Sequence, residues 1–134
     1  MAGSVKARVL VAGRAQGVVL RLDAAVSFWG GVSPQTAEII QHDHPNRGIC
    51  ISQRILLLPA MIGSSSSSAV LLELLYKKIG PKAILMTEID AILVLGDLVA
   101  GEMGYPTIPI LQVAADALQN GQAVTIEENG TIGF

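Results

Sequence analysis

Five consecutive serines, Ser64 to Ser68, follow Gly63 and lead directly into an apolar run with the composition of a helix. The first turn of a helix leaves backbone N–H groups unpaired and carries a partial positive charge. Hydroxyl groups placed there are suited to receive a carboxylate, a phosphate or an alkoxide. A simpler interpretation is a helix cap, because serine is a preferred N-cap residue and a cap needs only one hydroxyl. The sequence leaves both interpretations open.

The serine segment matches none of the common phosphate or nucleophile motifs. No Lys-Ser or Lys-Thr pair follows the glycine as in a Walker loop, and neither the dinucleotide-binding glycine pattern nor Gly-x-Ser-x-Gly is present. Gly63 needs a reason of its own: either the backbone turns through a positive φ, or a ligand approaches too closely for a Cβ. A serine nucleophile would also need an orienting histidine and carboxylate. The two histidines lie together about 20 residues upstream, so a triad stays open but nothing in the spacing supports it.

The two histidines of the chain, His42 and His44, flank Asp43 in a polar loop about 20 residues before the serines. Alternating spacing in a loop directs successive side chains apart, so we interpret this segment as a solvated turn rather than a metal site. The aromatic pair Phe28 and Trp29 precedes two glycines. We predict a core plug beside a tight turn, because aromatic residues make up only 4% of the chain.

The composition is unusually apolar, with 51% hydrophobic and 15% charged residues and a mean hydropathy of +0.53. Such a chain must cover an apolar face, either with a membrane or with a partner protein. No stretch approaches the roughly 18 apolar residues that a membrane-spanning helix needs, so we expect a partner. The net charge of −2 gives no electrostatic footprint for nucleic acid.

One cysteine, Cys50, indicates a reducing compartment, and a single thiol neither forms an internal disulfide nor holds an iron–sulfur cluster by itself. We therefore expect no metal bound by this chain. No signal peptide is visible, because the apolar run after Arg8 is too short for its hydrophobic core. We expect a cytoplasmic protein.

The elements that must position the serines follow an α/β pattern. The N-terminal half is expected to be β-rich, with an alternating strand from Val5 to Val11 and a buried strand from Arg54 to Pro59. The second half predicts strand and helix in alternation, and Asn129-Gly130 is a strong hairpin turn. Without repeats or a linker, residues 1–134 form one predicted domain. The later predicted elements are a helix over 68–78, a strand over 83–86, a helix over about 89–103, a strand over 110–113 and a hairpin over 122–134.

Both predicted helices carry end signals. Thr87 and Asp90 have the spacing of a capping box before the second helix, and Glu88 is assigned to the same helix start. Lys77 and Lys78 close the first helix, where cations suit the helix dipole.

Several segments in a fixed order resemble the small subunit of the aconitase X family. The resemblance covers roughly residues 9–111, and residues 114–134 form an extension outside it. It implies a swivelling β/β/α domain that closes over a large subunit. The segments are Ser27-Phe28-Trp29-Gly30-Gly31-Val32, His44-Pro45 with Gly48, the strand Arg54 to Pro59, Gly63-Ser64 with Ser68, and Leu71-Leu72-Glu73-Leu74.

The resemblance also implies a function, since members of the family are hydro-lyases. It implies dehydration of cis-3-hydroxy-L-proline to pyrroline-2-carboxylate, or alternatively of phosphomevalonate, with the iron or iron–sulfur centre on the large subunit. Ser64 takes the place of the base, and Gly63, Ser65, Ser66 and Ser68 lie near the substrate carboxylate. Because no Lys or Arg lies close to the serines in sequence, hydroxyproline is favoured over a phosphorylated substrate. A non-catalytic interaction domain remains the alternative of another class.

Overall fold

The computed structural model describes residues 3–134, which contain eight strands and three helices joined by loops. Only α2 and α3 are regular helices, because α1 is a single turn in which Trp29 and Gly30 leave helical backbone angles. The elements are β1 Ser4–Lys6, β2 Arg8–Val11, β3 Ala15–Arg21, α1 Phe28–Gly31, β4 Ile55–Leu58, α2 Ser67–Tyr76, β5 Ala83–Met86, α3 Ala91–Glu102, β6 Ile110–Gln112, β7 Ala123–Ile126 and β8 Thr131–Gly133.

The strands form one curled sheet in the order β1-β8-β7-β3-β4-β5-β6-β2. β3, β4, β5 and β6 are parallel, and all other pairings are antiparallel. The outermost strands β1 and β2 are consecutive in sequence and separated only by Ala7, so the two ends of the sheet meet there. The Ala7 N–H donates to the Gly130 carbonyl at 2.8 Å, and a Cβ on Gly130 would lie 2.6 Å from the Ala7 oxygen. Glycine is required at this closure.

Two apolar cores lie on opposite faces of the parallel strands. Along β4, Ile55 and Leu57 face the core enclosed by the curled sheet, whereas Leu56 and Leu58 face the core beneath α2 and α3. This alternation explains why β4 reads as a continuous apolar run, since a strand covered on both faces has no polar side. The layers are therefore sheet, sheet and helix, as the resemblance implied.

The single strand expected from Val5 to Val11 is wrong. Ala7 interrupts it, because β1 pairs with β8 and β2 pairs with β6 at the opposite end of the sheet. Alternation of apolar and basic residues continues through the break, so the pattern alone does not reveal two different partners.

The other predicted elements are found within two residues or so of their expected ends, and β7 and β8 form the expected hairpin. Between β3 and β4 the chain is mostly irregular, joined by isolated bridges such as Val32 with Ile39, so this part is less β-rich than expected. Asp90 rather than Thr87 caps α3, accepting the Leu93 N–H at 3.1 Å. Within residues 3–134, neither α2 nor α3 has the length and apolar character needed to cross a bilayer.

Candidate functional site

The serine run lies at the carboxyl edge of the four parallel strands. After β4 the chain continues to Met61, which bridges Val26, and the Ile62 N–H donates to the Val26 carbonyl at 2.9 Å. These contacts tie the segment before Gly63 to the loop that follows β3. Ligands of α/β sheets bind at this edge, where the loops after parallel strands converge. We call Gly63 to Ser68 the serine loop.

Three of the serines make different hydrogen bonds and are not interchangeable. Ser64 is partly exposed, and its Oγ accepts the Ser66 N–H at 3.3 Å. The buried Ser67 Oγ accepts the Trp29 N–H at 3.3 Å and so fastens the loop to α1. The Ser68 hydroxyl donates to the Ser65 carbonyl at 3.0 Å. Ser64 is therefore the serine whose hydroxyl is both partly exposed and in contact with a backbone N–H.

The cap interpretation of the serine run holds for Ser64, whose Oγ accepts the Ser66 N–H in the turn that leads into α2, but not for Ser66. Ser66 occupies the N-cap position of α2, but its side chain makes no capping hydrogen bond. The Ser67 N–H is paired with the Ser64 carbonyl at 3.1 Å, whereas the N–H groups of Ser65 and Ser68 have no acceptor among residues 3–134. These N–H groups, at the positive end of the helix, are suited to receive an anion.

Gly63 is not needed for a left-handed turn, because its φ is not positive. A Cβ built on Gly63 meets no heavy atom within 4 Å, so the space beside it is open. Two reasons were expected for this glycine. The prediction of a positive φ is wrong, and the prediction that a ligand approaches closely is not tested by the structure.

Helix α3 packs directly on the serine loop at Gly96. A Cβ at this position would lie 2.9 Å from the Ser68 carbonyl oxygen and 3.1 Å from the Ser68 Cα. Only glycine lets the two helices approach this closely. The next residue, Asp97, is fully buried; its Oδ1 accepts the Ile108 N–H at 3.0 Å, while Oδ2 has no partner among the described residues. Burial raises the pKa of Asp97 to about 6, although the Ile108 hydrogen bond opposes the shift.

Phe28 and Trp29 have opposite environments, so the prediction that both fill the core is confirmed for Phe28 alone. Phe28 is fully buried in the core beneath the helices, but Trp29 is 60% exposed. The backbone of Trp29 contacts Ser67, which puts an exposed indole ring beside the serine loop. The core prediction is therefore wrong for Trp29. The glycine that follows it marks the turn, since Gly30 adopts a φ of 77°.

The histidine loop is structural at one position and solvated at the other. His44 is buried: its Nε2 lies 3.0 Å from the Ala24 carbonyl and its Nδ1 accepts the Asn46 N–H. His42 is exposed and contacts Arg47. Both ring nitrogens of His44 are thus used within its own region, and neither histidine contacts Ser64. The residues described here form no cluster of three or more metal-ligating side chains, and Cys50 is exposed.

The chain is similar to a defined group of proteins. The family model described as the aconitase X swivel domain matches residues 4–134. The cis-3-hydroxy-L-proline dehydratase of Pseudomonas aeruginosa is 46% identical over 103 residues, 77% of this chain. The phosphomevalonate dehydratase small subunit of Pyrococcus furiosus is 33% identical over 130 residues, 96% of this chain and 92% of that protein. The crystal structure of Thermococcus kodakaraensis aconitase X in its holo-form has a TM-score of 0.87 at 30% identity, covering 97% of this chain and 96% of that chain.

The two groups of relatives differ in length. This chain spans only 18% of the Pseudomonas aeruginosa dehydratase, whereas it spans nearly all of the Pyrococcus furiosus small subunit. The same folded unit therefore occurs both inside a longer chain and as a separate subunit.

Proposed function

The chain belongs to the aconitase X swivel domain family, and on that premise we propose that it forms the lid of a two-part hydro-lyase in which Ser64 is the base. The observation that carries the proposal is the contact between the Ser64 Oγ and the Ser66 N–H at 3.3 Å. A serine hydroxyl is a poor base in water, and a backbone donor on its oxygen stabilises the alkoxide that a base requires.

A carboxylate substrate fits the remaining groups of the serine loop. The N–H groups of Ser65 and Ser68 point to a binding place for the carboxylate, and the open space beside Gly63 lets the substrate approach the backbone. With its carboxylate held there, the carbon next to it lies near Ser64. Proton removal at that carbon is the first half of a dehydration, and closure of the lid would exclude the water that weakens an alkoxide.

The leaving hydroxyl needs an electrophile, which we assign to the large subunit. The one cysteine of this chain is exposed, and the described residues offer no ligand set for an iron or iron–sulfur centre. In this proposal the centre belongs to the large subunit. When bound there, it acts as a Lewis acid toward the leaving hydroxyl. The contribution of this chain is confined to the base, the carboxylate contacts and the exclusion of water.

An exposed apolar surface next to the serine loop supports the proposal that this chain binds a large partner. Leu95, Leu98 and Met103 of α3 and its C-cap are each more than half exposed, and Val99 is 36% exposed. We call these four residues the apolar α3 face. It continues into a groove between α2 and α3 that Ser68 itself lines. A partner that delivers a substrate to the serine loop would therefore also cover the apolar α3 face.

We favour cis-3-hydroxy-L-proline as the substrate over phosphomevalonate. The identity to hydroxyproline dehydratases reaches 46%, compared with 33% for the Pyrococcus furiosus phosphomevalonate dehydratase small subunit. The serine loop also carries no cationic side chain for a phosphate, and Arg21 at the same edge is engaged with the Leu118 carbonyl. The single cysteine fits a reducing compartment, so we place the enzyme in the cytoplasm.

Reconstitution with a matching large subunit tests the proposal. Wild-type chain and Ser64→Ala are each combined with the large subunit and assayed with cis-3-hydroxy-L-proline and with 5-phosphomevalonate. We expect turnover of hydroxyproline that Ser64→Ala lowers by at least about a hundredfold, the usual scale for loss of a general base, while the complex still forms.

Ser52→Ala is the matched control, because Ser52 is also partly exposed but lies in the turn before β4. It should leave turnover unchanged. Wild-type turnover by Ser64→Ala would remove the base role from Ser64. If the chain co-purifies with no iron-containing partner, or if the reconstituted pair turns over neither substrate, the non-catalytic interaction domain is favoured.

A further inference from the structure

An open cavity lies at the opposite, amino edge of the parallel strands. It has a volume of about 400 Å³, within the range typical of small-molecule sites. Segments preceding or beginning all four parallel strands line it, as do the last turn of α2 and the residues after it. A four-residue strand is about 13 Å long, so this cavity is separate from the serine loop.

The cavity is lined by cations and by no carboxylate. Arg14, Lys78 and Lys82 contribute three of the nine Lys and Arg residues of a chain whose net charge is −2. Lys78 and Lys82 form no salt bridge within the described residues, and Arg14 lies 3.8 Å from Glu128 in an exposed pair of little strength. By contrast Lys77, one residue from Lys78, is paired with Glu73 at 3.0 Å and does not line the cavity.

The backbone is strained at two positions in the cavity wall. Lys78 has a φ of 61° and Gln53 a φ of 62°, two of the three non-glycine residues with positive φ among those described. Lys78 follows the C-cap of α2, where the Ile79 N–H returns to the Leu74 carbonyl at 3.1 Å. Glycine is the usual residue at such a helix end, because a side chain there costs conformational energy. The helix dipole favours a cation at this end, and lysine places that cation in the cavity wall.

We propose that this cavity binds a small phosphorylated compound. Arg14, Lys78 and Lys82 surround the phosphoryl group, because lysine acts as a point charge toward phosphate and arginine as a fork of donors. The Gln53 amide supplies a further polar contact, and Pro81 and Pro106 form an apolar wall for the carbon portion. The proposal is independent of the reaction at the serine loop.

Titration of the ¹⁵N-labelled 134-residue chain with sodium pyrophosphate tests this site. Sodium chloride at matched ionic strength is the blank, and sodium malonate represents a dicarboxylate. We expect saturable shifts of the Gln53, Lys78 and Lys82 amide resonances with pyrophosphate, weaker ones with malonate, and none with chloride.

The variant Lys78→Gly separates the ligand role from a structural one. Glycine accepts the left-handed backbone, so the thermal midpoint should not fall, whereas the dissociation constant for pyrophosphate should rise at least tenfold. Lys77→Ala is the control and should bind like the wild type. Linear shifts without saturation, equal binding by Lys78→Gly, or a stronger response to malonate would overturn the proposal. The absence of any shift with pyrophosphate would also overturn it. If, in addition, Lys78→Gly no longer bound the large subunit, the cavity would be a protein contact instead.

Discussion

The two edges of the same four parallel strands are built for anions in different ways. At the carboxyl edge, the serine loop offers backbone N–H groups and hydroxyls without a cationic side chain. At the amino edge, Arg14, Lys78 and Lys82 surround a cavity that contains no carboxylate. Fixed dipoles hold their direction and stabilise charge at one atom, whereas flexible cations attract any nearby anion. The first arrangement suits chemistry and the second suits binding.

The helices join these two edges. α2 begins in the serine loop and ends at the cavity, and α3 contacts Ser68 through Gly96 while Asp97 holds Ile108 in the cavity wall. Substitutions near one edge therefore test whether the properties of the other edge change with it.

Leu98→Glu should have the largest effect and act only at the serine edge. A carboxylate in the middle of the apolar α3 face would lose its hydration on docking, so we expect affinity for the large subunit to fall by at least about a hundredfold. Pyrophosphate binding at the other edge should not change. Analytical ultracentrifugation of the mixed subunits measures the loss. Val18→Glu, which also places a charge at an exposed apolar residue but on β3, is the control. Equal weakening by both variants would contradict a docking role for α3.

Gly96→Ala should destabilise the fold by about 2–3 kcal/mol, because the added Cβ would meet the Ser68 backbone at 2.9 Å. Gly101→Ala on the same helix meets only the Thr107 methyl group at 3.3 Å and should be neutral or stabilising by up to about 1 kcal/mol. Urea unfolding of both variants measures the difference. Dehydration by the reconstituted Gly96→Ala enzyme should also decrease, because the serine loop must shift. Equal stability of the two variants would show that the helices separate without cost.

Asp97→Asn should alter the pH dependence of stability. Burial raises the pKa of Asp97 from 3.8 to about 6 in the folded chain, so the folded state retains a proton that the unfolded state has lost. Stability therefore falls as the pH rises through this window, by about 2 kcal/mol between about pH 4.5 and about pH 6.5, and changes little from this source above it. Asparagine keeps an oxygen for the Ile108 N–H and does not titrate here. Thermal unfolding across this range should show a shallower decline for Asp97→Asn, and an unchanged slope would assign the decline to another group.

The sequence was most informative where the physical signal is local. The apolar run of β4, the serine loop that follows it and the Asn129-Gly130 turn are each determined by neighbouring residues, and each was placed correctly. The position of the serine loop at the carboxyl edge follows directly, since it comes after a parallel strand.

Features that depend on distant pairing were missed. β1 and β2 look like one strand until their partners at opposite ends of the sheet are known. Asp97 looks like a polar interruption of an apolar helix, and its burial depends on Ile108 in the next loop. The basic cavity draws its residues from several separate segments, so no spacing along the chain indicates it.

The described ends of the chain lie side by side, since β1 pairs with β8 and the Phe134 N–H donates to the Gly3 carbonyl at 3.0 Å. A polypeptide attached at either end would leave the domain at the same point. One tether there would hold the domain at a high local concentration near any body fused to it while leaving it free to pivot. The same fold can therefore be a separate subunit or a module within a longer chain, and neither arrangement requires a change in its core.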